Sequence, residues 1–218
     1  AASDVYKRQL VDLQGRFNIN NLVDGNGATN PEAVAQFERL LDALELERRW
    51  ATITADWLDS DIEPNFPDGA EDSIYMGIDP PYRVANLPVT SVTEMMALTD
   101  MTAEVFDTLR PHIVALPRGT AININTATGP VIQSLAEGLS QSDAVAIVEN
   151  RPDDGYADAT ELENQLQADA LLNVDTSSRY FRAVVRVNVG TADLTMYSLL
   201  DREGTDAVRT LLRTFGTD

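Results

Sequence analysis

The sequence predicts an α+β protein in which a large all-helical segment interrupts a small antiparallel sheet. Alternating, β-branched segments lie near both ends of the 218-residue chain, and apolar residues recur at helical spacing through its middle. Hydrophobic residues make up 44% of the chain, which is enough for a buried core. The simplest organisation is a sheet domain of residues 1–29 and 176–218 with an α-helical domain of residues 30–175 inserted into it.

The N-terminal residues are expected to form a short helix followed by a strand. Residues 3–10 have a helical pattern that begins abruptly, as if a preceding segment had been removed. Residues 12–22 alternate apolar and polar side chains, which is typical of a strand. A turn at residues 24–27 would end that strand.

Clear helix signals begin at Asn30. Asn30 is a favourable N-cap, Pro31 fits the first helical position, and Glu32 complements the helix dipole. A second helical pattern runs through Trp50 and Trp57. These two side chains are seven positions apart on one helix face, which favours a place in the core.

Residues 56–82 form what we call the acidic loop. Eight acids and six Pro or Gly residues lie in this stretch, and it contains no Lys or Arg. Because Pro and Gly break both helical and strand patterns, irregular backbone is expected.

The second half of the chain returns to regular patterns. Ser91 and Glu94 fit a capping box at the start of one helix. A turn at residues 190–192 separates the first two of three β-branched segments. Helices are expected at residues 91–98, 102–109, 128–135, 140–149 and 160–167, and strands at 179–189, 193–200 and 207–215.

Composition argues against several functions. The formal charge of −19 disfavours nucleic acid as a partner, because proteins that clamp phosphates displace counterions with their own cations. The chain has no Cys, which excludes disulfides, thiolate metal sites and Cys nucleophiles. No apolar run is long enough to span a bilayer. His112 is the only histidine and no Gly-x-Ser-x-Gly elbow occurs, so we expect His112 to be structural and the protein not to be an enzyme.

Residues 120–127 are typical of the opening of a helix-hairpin-helix (SAM-like) module. The following hairpin at residues 138–143 keeps one glycine of the usual Gly-x-Gly, and Asp143 stands where phosphate would approach the helix. This favours a protein-binding module over a DNA-binding one. Asn123 and Asn125 are expected to bond neighbouring backbone groups.

The acidic loop is the best candidate for a metal site. Calcium takes roughly six to eight oxygen ligands, and Asp59, Asp61 and Glu63 have ligand-like spacing. The loop is not an EF-hand, because Pro64 replaces the invariant Gly and Ala70 replaces the twelfth-position Glu. A solvated loop that only keeps the protein soluble is the alternative. The first-choice metal ligands are Asp59, Asp61, Glu71 and Asp72.

The order of these features resembles the minor pseudopilin K family of the bacterial type II secretion system. The resemblance extends over nearly the whole chain, and a C-terminal strand hairpin completes it. The matching segments are residues 15–22, 57–59, 69–75, 80–86, 116–117 and 120–127.

The resemblance implies a pilin-like body of helix plus antiparallel sheet with a large helical insert. Members of the family sit at the periplasmic tip of the pseudopilus, where they initiate or cap assembly for the export of folded proteins. They bind the minor pseudopilins I and J, and the major pseudopilin and secreted exoproteins are further candidate partners. The body and an N-terminal helix would make these contacts, and the candidate partner-binding residues are Val5, Leu10, Leu13 and Gln14.

The resemblance also implies a membrane anchor and a cofactor. A membrane-spanning N-terminal helix, with methylation, would make the chain the periplasmic domain of a single-pass inner-membrane protein in a Gram-negative bacterium. Relatives bind calcium in the inserted domain, which favours one or two calcium ions here. Two alternatives stay open, a helix-hairpin-helix nucleic-acid-binding protein and a calcium-dependent ligand-binding module.

Overall fold

The computed structural model describes residues 5–166, 171, 173–189, 191–204 and 207–215. These residues divide into a sheet unit, formed by the described parts of 1–14 and 177–218, and a helical unit of residues 15–176. The elements in chain order are β1 (Val5–Asp12), β2 (Phe17–Asn18), α1 (Pro31–Ala43), α2 (Arg49–Leu58), α3 (Asp72–Tyr75), α4 (Ala103–Leu109), β3 (Ile113–Val114), β4 (Ile122–Asn123), α5 (Gly129–Ser134), α6 (Gln141–Glu149), α7 (Ala159–Leu166), β5 (Val174–Asp175), β6 (Tyr180–Val189), β7 (Ala192–Glu203) and β8 (Ala207–Phe215). The α+β class with a helical domain is confirmed.

The sheet unit is a four-stranded antiparallel sheet in the order β1-β6-β7-β8. The three predicted C-terminal strands are confirmed, while Gly190 of the predicted turn lies outside the described residues. The predicted helix at residues 3–10 is wrong for residues 5–10, while residues 3 and 4 lie outside the described residues. Val5–Asp12 is a strand that pairs with β6 over its full length, from Val5 opposite Asn188 to Asp12 opposite Phe181. A pairing partner so far along the chain outweighs weak local helix propensity.

The predicted strand over residues 12–22 is largely wrong, and so is the domain boundary drawn from it. β2 has two residues and pairs in parallel with β3, and a 3₁₀ turn follows at Ile19–Leu22. Phe17, Ile19 and Leu22 are buried in the core of the helical unit. Burial of these side chains therefore assigns residues 15–29 to the helical unit rather than to the sheet unit.

The predicted helix starts are confirmed by their caps. The Asn30 side chain accepts hydrogen bonds from Glu32 N and Ala33 N. Ser91 and Glu94 form a capping box on a 3₁₀ helix at Val92–Ala97. Gln167, the last residue of the predicted final helix, lies outside the described residues, and α3 is a short helix that the sequence patterns missed.

Buried asparagines hold the loops of the helical unit together. Asn20 is 2% exposed, and its Nδ2 donates to Val89 O at 3.0 Å and to Leu116 O at 2.8 Å. Its Oδ1 accepts from Val89 N at 2.9 Å. Asn18 and Asn21 bond the backbone of residues 116–120 in the same way. These amides supply the hydrogen bonds that irregular buried backbone lacks.

We expect Asn20→Ala to destabilise the helical unit by about 2–4 kcal/mol, because it leaves buried groups of Val89 and Leu116 without partners. Denaturant unfolding followed by tryptophan fluorescence measures this, since both tryptophans lie in that unit. Asn26→Ala, at an exposed asparagine, is the matched control and should change stability by less than about 0.5 kcal/mol. Equal effects of the two substitutions would contradict the role given to Asn20.

A buried carboxylate joins two strands of the sheet unit. Asp201 is 1% exposed and accepts hydrogen bonds from Arg179 on both oxygens and from Arg209 Nη2 at 3.1 Å. The Arg179 hydrogen bonds lower the pKa of Asp201, and Arg209 adds to this. Asp201 therefore stabilises the fold above its unfolded-state pKa, and this contribution is lost as pH falls through its lowered folded-state pKa.

Asp201→Asn should accordingly lower the melting temperature at pH 7 by several degrees. The difference from wild type should shrink as the pH falls below about 4, where Asp201 of the wild type becomes protonated in the unfolded and then the folded state. Scanning calorimetry across this pH range measures the effect. Asp193→Asn, at an exposed position of β7, is the control. A difference that stays constant down to the lowest pH would contradict the assignment.

Candidate metal centre

Three carboxylates meet near the end of α2. One carboxylate oxygen from each of Asp59, Asp61 and Glu71 lies within 4.8 Å of the others, and we call these residues the acidic cluster. Asp59 directly follows the last residue of α2, and Glu71 directly precedes α3. The chain between them folds back so that the two helix ends bring their acids together.

Two members of the acidic cluster are buried with carboxylate oxygens that lack a hydrogen-bond partner. Asp59 is 1% exposed and Glu71 is 2% exposed. Asp59 Oδ1 and both carboxylate oxygens of Glu71 have no hydrogen-bond partner among the described residues. Burial of an unpaired polar atom costs roughly 1–3 kcal/mol, and more when the group is charged. These oxygens are therefore suited to a cation.

The neutral amide of Asn65 bonds two of the buried carboxylates. Asn65 donates from its backbone N and from its side chain to Asp56, a fully buried carboxylate of α2. The same Asn65 Nδ2 lies 3.2 Å from Asp59 Oδ2, which also accepts from Thr29 Oγ1 at 3.0 Å. These bonds orient Asp59 and leave its second oxygen free.

Burial and mutual repulsion shift the titration of this region. Burial raises the pKa of Glu71 to about 7, and the charges of Asp56 and Asp59 add to the shift. Burial also raises the pKa of Asp56 and of Asp59, although hydrogen bonds from Asn65 oppose it. The pKa values of these carboxyl groups are therefore raised first by burial and then by the negative charge of their neighbours.

The residues present fit a hard divalent cation. Calcium prefers carboxylate and carbonyl oxygens and tolerates irregular geometry, so the acidic cluster would supply part of its ligand shell. Asp59, Asp61 and Glu71 would hold the ion. Asp56 would contribute negative charge behind them while its own oxygens stay bonded to Asn65.

The structure brings together three of the four predicted ligands. The fourth, Asp72, lies outside the acidic cluster, where its Oδ1 accepts from Val84 N at 3.1 Å and its Oδ2 lies 3.8 Å from Arg83. Sequence reasoning did not select Asp56 as part of this site. A signal existed, because Asp56 lies one helical turn before Asp59, which directly follows α2.

The predicted partner-binding residues differ in exposure. Leu10 is 62% exposed, whereas Leu13 and Gln14 are each 5% exposed. The Gln14 side chain accepts hydrogen bonds from the backbone N of Arg179 and of Tyr180, which explains its burial. The side chain of Val5 lies outside the part of the chain that the structure describes. Partner contact through these four residues stays a prediction.

The helix-hairpin-helix region has internal uses for its polar residues. Asp143 accepts a hydrogen bond from Ser140 N in a capping box, so an acid closes the N-terminus of α6. Asn123 Oδ1 accepts from the neighbouring Asn125 N, as predicted. Asn125 is structural, as predicted, but its side chain bonds the distant backbone of Tyr156 and of Thr176 rather than neighbouring groups. His112 Nδ1 lies 2.8 Å from Thr128 Oγ1, and burial lowers its pKa.

Both tryptophans are core residues, as predicted. Trp50 is 2% exposed and Trp57 is 6% exposed. Trp57 contacts Tyr75 and Tyr82 edge-on, with ring centroids 5.2 and 6.3 Å away. These three aromatic residues belong to the acidic loop and join it to the core of the helical unit.

Comparisons with known proteins agree with this architecture. Family models described as type II secretion system (T2SS) protein K match residues 15–118 and 122–178. The type II secretion system protein K of Pseudomonas aeruginosa is 31% identical over 216 residues, which cover 95% of this chain. The chain spans 64% of that relative's length. The protein K of Pectobacterium carotovorum subsp. carotovorum is 31% identical over 230 residues, covering 95% of this chain and 69% of the relative.

A solved structure shares the fold. A chain in the crystal structure of the GspK-GspI-GspJ complex from the enterotoxigenic Escherichia coli type 2 secretion system matches with a TM-score of 0.85 and 28% identity. The match covers 98% of this chain and 80% of that one. Among the described residues, no helix is both long and apolar enough to cross a membrane. Because the family models match most of the sequence, the chain belongs to the type II secretion system protein K family.

Proposed function

We propose that this chain is a minor pseudopilin at the tip of the type II secretion pseudopilus, where it initiates or caps assembly for the export of folded proteins. The observation that supports this most strongly is its likeness, at a TM-score of 0.85, to a chain of the GspK-GspI-GspJ complex. Its partners are then the minor pseudopilins I and J. The chain lies in the periplasm, and an N-terminal helix that carries the family's methylation anchors it in the inner membrane.

The sheet unit offers a surface that a pilin-type helix would cover. Residues paired directly across strands share one face of a sheet. One such row joins Val185 to Met196 and Met196 to Phe215, and Val187 pairs with Leu194 beside it. Leu194 is 52% exposed and Phe215 is 60% exposed, so this apolar face is incompletely covered.

The topology supports a terminal position in the filament. Pilin-like subunits repeat through a heterologous contact that continues until something blocks it. The whole helical unit is inserted between β1 and β6. A bulky insert of this kind would obstruct the next subunit, so the chain can start or cap a filament but not repeat within it.

The fragment should form a soluble complex with the periplasmic fragments of pseudopilins I and J. Analytical ultracentrifugation of the mixture at micromolar concentration tests this, and hydrogen exchange locates the contact. Protection should concentrate in the sheet unit and leave most of the helical unit unchanged. Absence of a complex would count against the partners, and protection confined to the helical unit would contradict the tip geometry.

We also propose that the acidic cluster binds calcium, as one or two ions. The support is the pair of buried carboxylates with three unpartnered oxygens. A bound divalent cation would neutralise their charge and favour the folded helical unit by mass action.

Saturating calcium should raise the melting temperature of the helical unit, and EDTA should reverse the increase. At calcium a hundredfold above its Kd the gain is about 2.7 kcal/mol. Asp59→Asn should abolish most of the calcium effect, because Asp59 belongs to the acidic cluster. The same variant should be more stable than wild type in EDTA, because it removes a buried charge.

Asp72→Asn is the matched control, since Asp72 is adjacent in sequence to Glu71 but outside the acidic cluster. It should keep the calcium-dependent increase. Loss of the increase in Asp72→Asn but not in Asp59→Asn would relocate the site, and identical melting in calcium and EDTA for the wild type would remove it.

A further inference from the structure

The acidic loop and the segment that follows it expose several large apolar side chains, of which three are the most exposed. Phe66 is 95% exposed, Ile62 is 71% exposed and Leu87 is 66% exposed, and we call these residues the apolar rim. Single exposed apolar residues are common on protein surfaces. A phenylalanine with almost its entire side chain in solvent, accompanied by two aliphatic residues, is instead typical of a surface that another molecule covers.

Hydrogen bonds hold the backbone before each member of the apolar rim. Ile62 follows Asp61, whose backbone O accepts a hydrogen bond from the Asn86 side chain. Phe66 follows Asn65, whose backbone N and side chain bond the buried Asp56. Each side chain therefore projects from a fixed point rather than from a free loop.

Leu87 is tied to the same region. It follows Asn86, whose Nδ2 donates to Asp61 O at 2.9 Å. Asn86 N also donates to Trp57 O at 3.1 Å, near the end of α2. These bonds connect the segment carrying Leu87 to the one carrying Ile62. The backbone that carries the apolar rim is thus preorganised, which reduces the entropy cost of forming an interface.

The charge around the apolar rim selects the partner. Asp61, Glu63 and Asp68 are exposed carboxylates interspersed with Ile62 and Phe66 in sequence, and residues 56–82 contain no Lys or Arg. A divalent cation in the acidic cluster would neutralise charge on Asp61 and on the buried carboxylates. The negative charges of Glu63 and Asp68 would remain. Complementary charge and an apolar centre are the usual features of a specific protein interface.

We propose that the apolar rim is a docking surface for a polypeptide segment that carries apolar side chains among Lys and Arg residues. The acidic side chains around the rim attract the basic residues, while Phe66 provides the aromatic anchor. An anionic membrane would be repelled by the same carboxylates. This inference deepens the proposed calcium site by giving its loop a partner, and the two can fail separately.

Fluorescence anisotropy with a labelled synthetic peptide of Leu, Phe and Lys tests the docking surface. The wild-type fragment should bind this peptide more tightly than two comparison peptides, one with Glu in place of Lys and one with Ser in place of Leu and Phe. Phe66→Ser should weaken binding about tenfold or more, as expected for an aromatic anchor. Met96→Ser is the matched control, because Met96 is 44% exposed in the same unit but lies outside the rim. It should bind as wild type does.

Phe66→Trp reports the contact directly. It should retain binding, and its emission should shift to the blue when the peptide covers the new indole. Equal affinity of wild type and Phe66→Ser, equal binding of the Glu peptide, or binding to anionic lipid vesicles in place of the peptide would each overturn the proposal.

The calcium-dependent melting of Phe66→Ser separates this proposal from the metal site. The variant should lose peptide binding and keep its calcium-dependent increase in melting temperature. If wild type shows no calcium effect but still binds the Lys peptide through Phe66, the calcium proposal fails and the docking surface stands. If calcium stabilises wild type and Phe66→Ser binds the peptide unchanged, the docking surface fails alone.

Discussion

The structure of the acidic loop depends on how it accommodates buried negative charge in the helical unit. Asp56, Asp59 and Glu71 are almost fully buried, and they lie beside the exposed Asp61. Desolvation and mutual repulsion both disfavour such an arrangement. The chain tolerates it because amides and hydroxyls bond some of the oxygens, while the remaining oxygens are left in a geometry that suits a cation.

Asparagine side chains form many of the hydrogen bonds that hold the irregular segments of the helical unit in place. Asn65 bonds buried carboxylates, Asn86 ties two loop segments together, and Asn20 joins Val89 to Leu116. Asn20 and Asn65 satisfy backbone and carboxylate groups that irregular chain would leave unpaired in the interior. The long stretches between the helices of this unit are therefore ordered by a few asparagine side chains rather than by helix or sheet ladders.

The irregular backbone of the helical unit carries the residues of two of the proposed roles, metal binding and protein docking. Under the proposed function the sheet unit would offer the surface for assembly, and the helical unit carries both the acidic cluster and the apolar rim. Asn65, which bonds the carboxylates of Asp56 and Asp59, also fixes the backbone before Phe66, and Asn86 ties the backbone before Ile62 to the backbone before Leu87. A metal site and a protein-binding surface that share a loop held by these hydrogen bonds would be stabilised together.

Much of this organisation is encoded locally and was predictable from sequence. Caps at Asn30 and Ser91, the alternation of the C-terminal strands, and the clustering of acids among Pro and Gly residues all act over a few neighbouring residues. The tertiary structure decided what depends on distant partners. It made Val5–Asp12 a strand against β6, moved residues 15–29 into the helical core, and placed Asp72 outside the acidic cluster while adding Asp56 behind it. Pairing and burial bring together residues far apart in sequence, and local patterns carry no information about which distant residue will be present.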